Sequence, residues 1–255
     1  KLKEDLDASV DAVSLNYHVA FNSEGEVISS TRRYRLLRRV RNFQWEGAVH
    51  EVIPVSGNLL ESNIIIKHMP IEKDMNRNVR IYEALLARGE TLSDRDLIGY
   101  ANELMYLQRF QEAIPYYLQF LKTGQGWPAV QACCKLSDCY RHLGDMEKYQ
   151  EWNIKALNYD VPTSEVCCRI GNYFIQKNLE QAIFWYKLAT QNPKKDSVVR
   201  DVEYETSIPH QQLAICYLLQ GDNKLAREYN EAARKYNPQM DDLFPDSRFY
   251  RIPAK

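Results

Sequence analysis

Small residues return at a nearly fixed interval through the last two thirds of this 255-residue chain, and nothing else in it limits the possible folds so sharply. In LAICYLLQGDNKLAREYNEAARKYNP, small Ala214, Gly221, Ala226 and Ala233 alternate with bulky residues, Tyr217 among them, and Pro238 closes the segment. KLSDCYRHLGDMEKYQEWNIKALNYDVP repeats the frame with Leu136, Ser137, Tyr140, Gly144, Ala156 and Pro162, although Tyr149 stands where a small residue is wanted. CRIGNYFIQKNLEQAIFWYKLATQNP supplies Gly171, Ala182, Tyr186, Ala189 and Pro193, and YANELMYLQRFQEAIPYYLQFLKTG supplies Ala101, Leu104, Ala113, Tyr117 and Phe120. Two helices approach closely only where the side chains between them are small. The recurrence therefore predicts four antiparallel helix pairs stacked in register, with Ala182, Gly221 and Ala226 wedged where helices cross.

The frame resembles the tetratricopeptide repeat, a helical hairpin of about 34 residues. Taking Ala113, Tyr149, Ala182 and Ala226 as equivalent, the spacings are 36, 33 and 44 residues, so the last unit follows an insert at about 194–206. Its sequence, KKDSVVRDVEYET, has no clean apolar period and is expected to form a loop, with a short strand or turn, beside the binding face. Ahead of the array, DMNRNVRIYEALLARGE aligns Val79, Tyr82, Leu85 and Leu86 on one face, with Arg88 in the last turn and Gly89 as a stop. This is a helix, expected to cap the open end of the first hairpin.

The resemblance implies a concave face carrying Asn102, Met105, Asp138, Arg141, Asn172, Gln176 and Gln211. A solvated polar surface and a site for a protein or peptide are both open readings of that stripe. Clamps that grip a carboxylate terminus use paired Lys and Asn, whereas Ile98 and Cys134 stand where Lys would be wanted. Six cysteines carry no C-x-x-C, and Cys133-Cys134 and Cys167-Cys168 lie 34 residues apart. They read as repeat-equivalent packing positions rather than a metal or redox site.

Residues 11–70 follow another pattern. DAVSLNYHVAF, RRYRLLRR, AVHEVIPV and NIIIKHM are short β-branched or aromatic runs, with a turn at Asn22-Ser23-Glu24-Gly25, and predict an antiparallel meander. The run QWEGAVHEVIP resembles the W-x-G-x-V-H-E segment of bacterial family-2, GT-A type glycosyltransferases that continue into tetratricopeptide repeats. Flanking pieces extend the resemblance: the strand ending in Phe21, Arg33 and Arg38 in an arginine-rich strand, His68-Met69-Pro70, Arg77-Asn78, and Ile208-Pro209 ahead of the last repeat.

The resemblance implies His50 as a catalytic residue and metal ligand facing a donor diphosphate, Glu51 beside it, and Trp45, Gly47, Arg33 and Arg38 around the substrate. It also implies a divalent metal, Mn or Mg, and a nucleotide-sugar in a longer parent, with neither expected for this chain alone. Asp5-Leu6-Asp7 fits D-x-D formally, but a polar, helix-like setting marks it as surface charge rather than the buried strand end such a motif needs. The opening KLKEDLDASVDAV reads as a segment cut from a longer chain.

The expected fold is mainly α: a tetratricopeptide-type α-α superhelix of about four repeats behind a small antiparallel β/α segment that is a partial GT-A domain. The corresponding divisions are 1–72, a connecting helix at 73–91, the array at 92–239 and a tail at 240–255. The expected function is that of a glycosyltransferase fragment whose array binds the acceptor or a partner protein, with a non-enzymatic adaptor as the alternative. STRRYRLLRRVR holds six arginines, yet Tyr34, Leu36, Leu37 and Val40 thread through it, and the net charge is −1, so nucleic acid is not the expected partner. Apolar runs are too short to span a bilayer, and a cytoplasmic location is expected.

Overall fold

A computed structural model describes residues 6–21, 24–49, 51–67, 74–191 and 202–244. The chain divides into two compact units, Lys1–Glu103 and Leu104–Lys255.

The first unit opens with a three-stranded sheet: β1 (Ala12–Phe21), β2 (Val27–Leu37) and β3 (Leu59–Lys67), in the order β2-β1-β3. The β1–β2 hairpin is antiparallel, as the turn residues predict, and Gly25 sits there at φ +82°. The third strand corrects the meander, because β3 runs parallel to β1, with Ala12 opposite Leu59 and Tyr17 opposite Ile66. A parallel neighbour cannot follow through a tight turn: β2 brings the chain back to the Ala12 end of β1, and residues 38–58 make a crossover past β1 at that same end to start β3. The predicted strand AVHEVIPV lies in that crossover. Its described part is loop, held by an isolated antiparallel bridge in which Glu46 and Val52 exchange backbone hydrogen bonds at 2.8 and 3.0 Å. Gly47 at φ +93° turns the chain inside this bridge, just ahead of that run.

Helix α1 (Arg77–Ala87) follows, and the predicted Gly89 stop is its exit: Gly89 at φ +76° donates to the Leu86 carbonyl at 2.9 Å. Val79 and Tyr82 are its buried residues. Tyr82 packs on Tyr100 of α2 (Asp94–Tyr106), with ring centroids 5.1 Å apart, and Asn78 donates to Glu103 at 2.9 Å. Gly99 makes the crossing close, since a Cβ there would stand 2.6 Å from the Tyr82 hydroxyl.

The second unit stacks α3 (Phe110–Phe120), α4 (Gly126–His142), α5 (Met146–Lys155), α6 (Ser164–Phe174), α7 (Leu179–Thr190), the short α8 (Val202–Glu205), α9 (Ser207–Gln220) and α10 (Asn223–Tyr236). Helices pair as α4/α5, α6/α7 and α9/α10, and the pairs meet through α5 on α6 and α7 on α9. Ala113, Tyr149, Ala182 and Ala226 each occupy the fourth position of α3, α5, α7 and α10 and are buried. The register has a local cause. In α5, α7 and α10 the N-cap side chains of Asp145, Asn178 and Asp222 accept from the backbone N–H three residues on, at 3.0, 3.1 and 3.0 Å. Each second helix therefore starts at the same point of its repeat.

One packing expectation fails. Ala182 and Ala226 are buried, but Gly221 is exposed at φ +83°, and a Cβ on it would meet nothing within 4 Å. It ends α9 as a left-handed cap, its N–H donating to the Leu218 carbonyl, and Gly144 at φ +82° has the same open setting. Gly171, by contrast, lets side chains approach, since a Cβ there would stand 2.7 Å from the Tyr186 ring. The six cysteines are buried and unbridged, with Cys167, Cys168 and Cys216 in one apolar cluster with Ala182, Tyr186 and Leu213. Among the described residues, no helix is long and apolar enough to cross a membrane.

Candidate binding groove

A groove of about 1140 Å³ opens in the second unit between α4, α5 and α6. Its walls carry Asp138 and Arg141 from α4, Met146, Tyr149, Gln150 and Ile154 from α5, Arg169, Asn172 and Tyr173 from α6, Gln176 from the turn after it, and Tyr204 from α8. Each element contributes by helical spacing: residues 169, 172, 173 and 176 form a single stripe along α6 and the turn after it.

An ion-pair network fixes the floor. Arg169 donates to both carboxylate oxygens of Asp138 at 2.8 and 2.9 Å and to Glu165, one turn earlier, at 2.9 Å. Burial is the largest single influence on the Arg169 pKa and works to lower it, but the hydrogen bond to Asp138 and the surrounding negative charge of Glu165 and Asp138 together outweigh it, and the net direction is up. The guanidinium stays charged. Asn172 accepts from the Tyr186 hydroxyl at 2.7 Å, which ties the groove wall to the core of its own hairpin. On the rim, the Lys177 ammonium lies 3.7 Å from the Tyr173 ring centroid.

Four of the expected concave-face residues, Asp138, Arg141, Asn172 and Gln176, come together here. Gln211 is half-buried on α9 outside the lining, and Met105 accepts from the Tyr117 hydroxyl at 3.7 Å. Asn102 belongs to the first unit, on an exposed face of α2. The residues missed were Arg169, Tyr173, Gln150 and Tyr204. The first two were legible as helical neighbours of Asn172, whereas Gln150 and Tyr204 come from a second helix and from the insert. The predicted loop at 194–206 is corrected at its end, where residues 202–205 make a helical turn; residues 192–201 lie outside the described residues.

In the first unit a smaller hollow, about 260 Å³, gathers Arg33, Trp45 and Glu51 with Arg35 and Tyr34. The Arg35 guanidinium sits between aromatic faces, 4.9 Å from the Tyr17 centroid and 5.7 Å from that of Trp45. Gly47 places its backbone near Arg95, and the next N–H, of Ala48, donates to Asp96 at 3.0 Å. Arg38 is elsewhere, paired with Asp11 at 3.7 Å. His50 and the His68-Met69-Pro70 run lie outside the described residues, as does Asp5; Asp7 is exposed and accepts from the Ser9 N–H, which lowers its pKa. Among the described residues, no three His, Cys, Asp or Glu side chains converge as a metal site.

No protein-family model matches the chain, and no curated protein matches it. Solved structures do. One crystal structure of MamA aligns with a TM-score of 0.51 at 15% identity, covering 66% of this chain and 95% of the other. A second MamA structure gives 0.50 at 13%, covering 71% and 89%. A tetratricopeptide repeat protein from Parabacteroides merdae gives 0.51 at 16%, covering 65% and 61%. At these identities the likeness concerns the fold alone, which is that of stacked tetratricopeptide-type helix pairs.

Proposed function

We propose that this chain is a protein-interaction module and that the α4–α5–α6 groove is its peptide-binding surface. The observation that carries the reading is the groove itself: a depression large enough for several side chains, with exposed Met146 and Ile154 beside the cations Arg141 and Lys177 and the anions Glu147 and Glu151. Apolar anchors ringed by charge of both signs suit a polypeptide better than a small uniform ligand. Tetratricopeptide-type folds offer such grooves, though the fold alone does not name a partner. The six buried thiols suit a reducing, cytoplasmic setting.

The test is selection of binders from a displayed random peptide library, followed by calorimetry on the wild type and on Arg141→Glu/Tyr173→Ala. Binding should weaken by about tenfold or more in the double variant, because both a charge and an aromatic contact are lost. Binders indifferent to that change would remove the groove from the interaction.

A second reading rests on the hollow that unites Arg33, Trp45 and Glu51, three residues which the glycosyltransferase resemblance puts around one substrate. In that reading the first unit is part of a sugar-transfer domain, with a divalent metal and a nucleotide-sugar bound in a longer parent and His50 facing the diphosphate. Neither family models nor curated proteins add support to it. Calorimetric titration of this chain with UDP-sugars and manganese should show no micromolar binding. In the parent, His50→Ala should lower transfer strongly at an unchanged melting temperature, and full activity in that variant would discard the reading.

A further inference from the structure

Gln150, in the α5 wall of the groove, is 4% exposed, and neither its amide nitrogen nor its amide oxygen has a hydrogen-bond partner. Polar groups in the other two walls differ: Asp138 of α4 holds Arg169, and Asn172 of α6 holds the Tyr186 hydroxyl. A buried donor and acceptor left open together cost free energy that no contact in the hairpin returns. We infer that Gln150 is the handle by which the groove takes the main chain of an extended, non-helical peptide, the carboxamide pairing with one peptide unit of the partner.

The chemistry selects that partner. A carboxamide offers a donor and an acceptor side by side, and its complement is a group that presents an acceptor and a donor at the same spacing. A phosphate or carboxylate only accepts, and an ammonium only donates, so each would leave half of Gln150 open. A helical peptide has already used its N–H and C=O groups within its own turns. An extended segment has both to give, and Gln150 reaches it by turning its side chain into the groove, a rotamer change of the kind common at interfaces. Asn153, one turn further along α5, is an internal comparison: it is fully buried and also unpartnered at both amide atoms, but it does not line the groove.

The inference rests on the proposed peptide-binding function, and the experiment separates the two. Peptides selected from the random library are measured on the wild type, Gln150→Met, Asn153→Leu and the Arg141→Glu/Tyr173→Ala double variant, and each peptide is then N-methylated at every backbone position in turn. In the wild type one or two N-methylations should weaken binding by about tenfold, and Gln150→Met should bind the unmodified peptide about tenfold more weakly and be insensitive to those same methylations. Its melting temperature should equal or exceed that of the wild type, and Asn153→Leu should leave affinity unchanged. If the peptides respond to the Arg141/Tyr173 change but not to Gln150→Met, or if they bind as helices by circular dichroism, the main-chain reading is wrong and the groove stands. If they respond to neither, both readings fall.

Discussion

Arg169 grips Asp138 with both terminal nitrogens, at 2.8 and 2.9 Å, joining the first helices of two successive pairs; each side chain is only 12% exposed. Removing one partner strands a nearly buried charge, whereas removing both leaves two apolar surfaces to meet. Asp138→Ala should therefore cost on the order of 3 kcal/mol, and Asp138→Leu/Arg169→Met should recover most of that loss. Urea unfolding of the two variants decides it. A single variant as stable as the wild type would show that Glu165 suffices to hold the guanidinium.

Two glycines of the array do opposite work, and substitution should separate them. A Cβ on Gly171 would stand 2.7 Å from the Tyr186 ring, which is fully buried and anchored by its hydroxyl to Asn172. Gly171→Ala should cost about 1–3 kcal/mol through overpacking. Gly221→Ala should cost about 1 kcal/mol through its left-handed backbone alone, and Gly221→Asn should recover part of it. Thermal melts in which Gly221→Asn and Gly171→Asn behave alike would refute the distinction.

That contrast marks where the sequence was readable. Ala113, Ala182 and Ala226 fell into register because their period is a local signal, as are the caps before α7 and α10, and even Tyr149, the wrong size for its slot, keeps the fourth position. Gly221 recurs in the same frame and so looked like a packing residue, although its need is for a backbone angle rather than for space. Non-local pairing left weaker traces. Nothing in NIIIKHM distinguishes a strand parallel to β1 from one that is antiparallel, and the Asp138–Arg169 pair depends on the register between helices 31 residues apart. Among the first-unit candidates, residue type alone did not separate Arg33, which joins Trp45 and Glu51, from Arg38, which turns to Asp11.

The buried thiols make the array sensitive to alkali. Burial pushes Cys133, Cys139 and Cys167 up to about 12 and Cys216 up to about 11. The folded state then keeps protons that the unfolded chain releases above about pH 8.5, so the stability these groups confer is full below that pH and is lost as pH rises towards 11–12. One such thiol accounts for about 1–2 kcal/mol between pH 9 and 10.5. The urea midpoint should fall over that interval, and the fall should be smaller in Cys167→Ala. An equal fall in both would assign the loss to other groups.

Tyr204 brings the insert to the groove, and its removal distinguishes a ligand contact from a structural plug. The half-buried ring lines the groove, while its backbone carbonyl accepts from the Cys168 thiol at 3.8 Å, a bond that truncating the side chain leaves in place. Burial raises the phenol above its ordinary pKa, so the ring stays neutral and acts on a partner through its face and hydroxyl. Tyr204→Ala should weaken the library-selected peptides about five- to tenfold with little change in melting temperature, and Tyr204→Phe should retain most of the affinity if the ring face carries the contact. A large drop in melting temperature at unchanged affinity would make Tyr204 a wedge between helices, and the partner would then be gripped by α4, α5 and α6 alone.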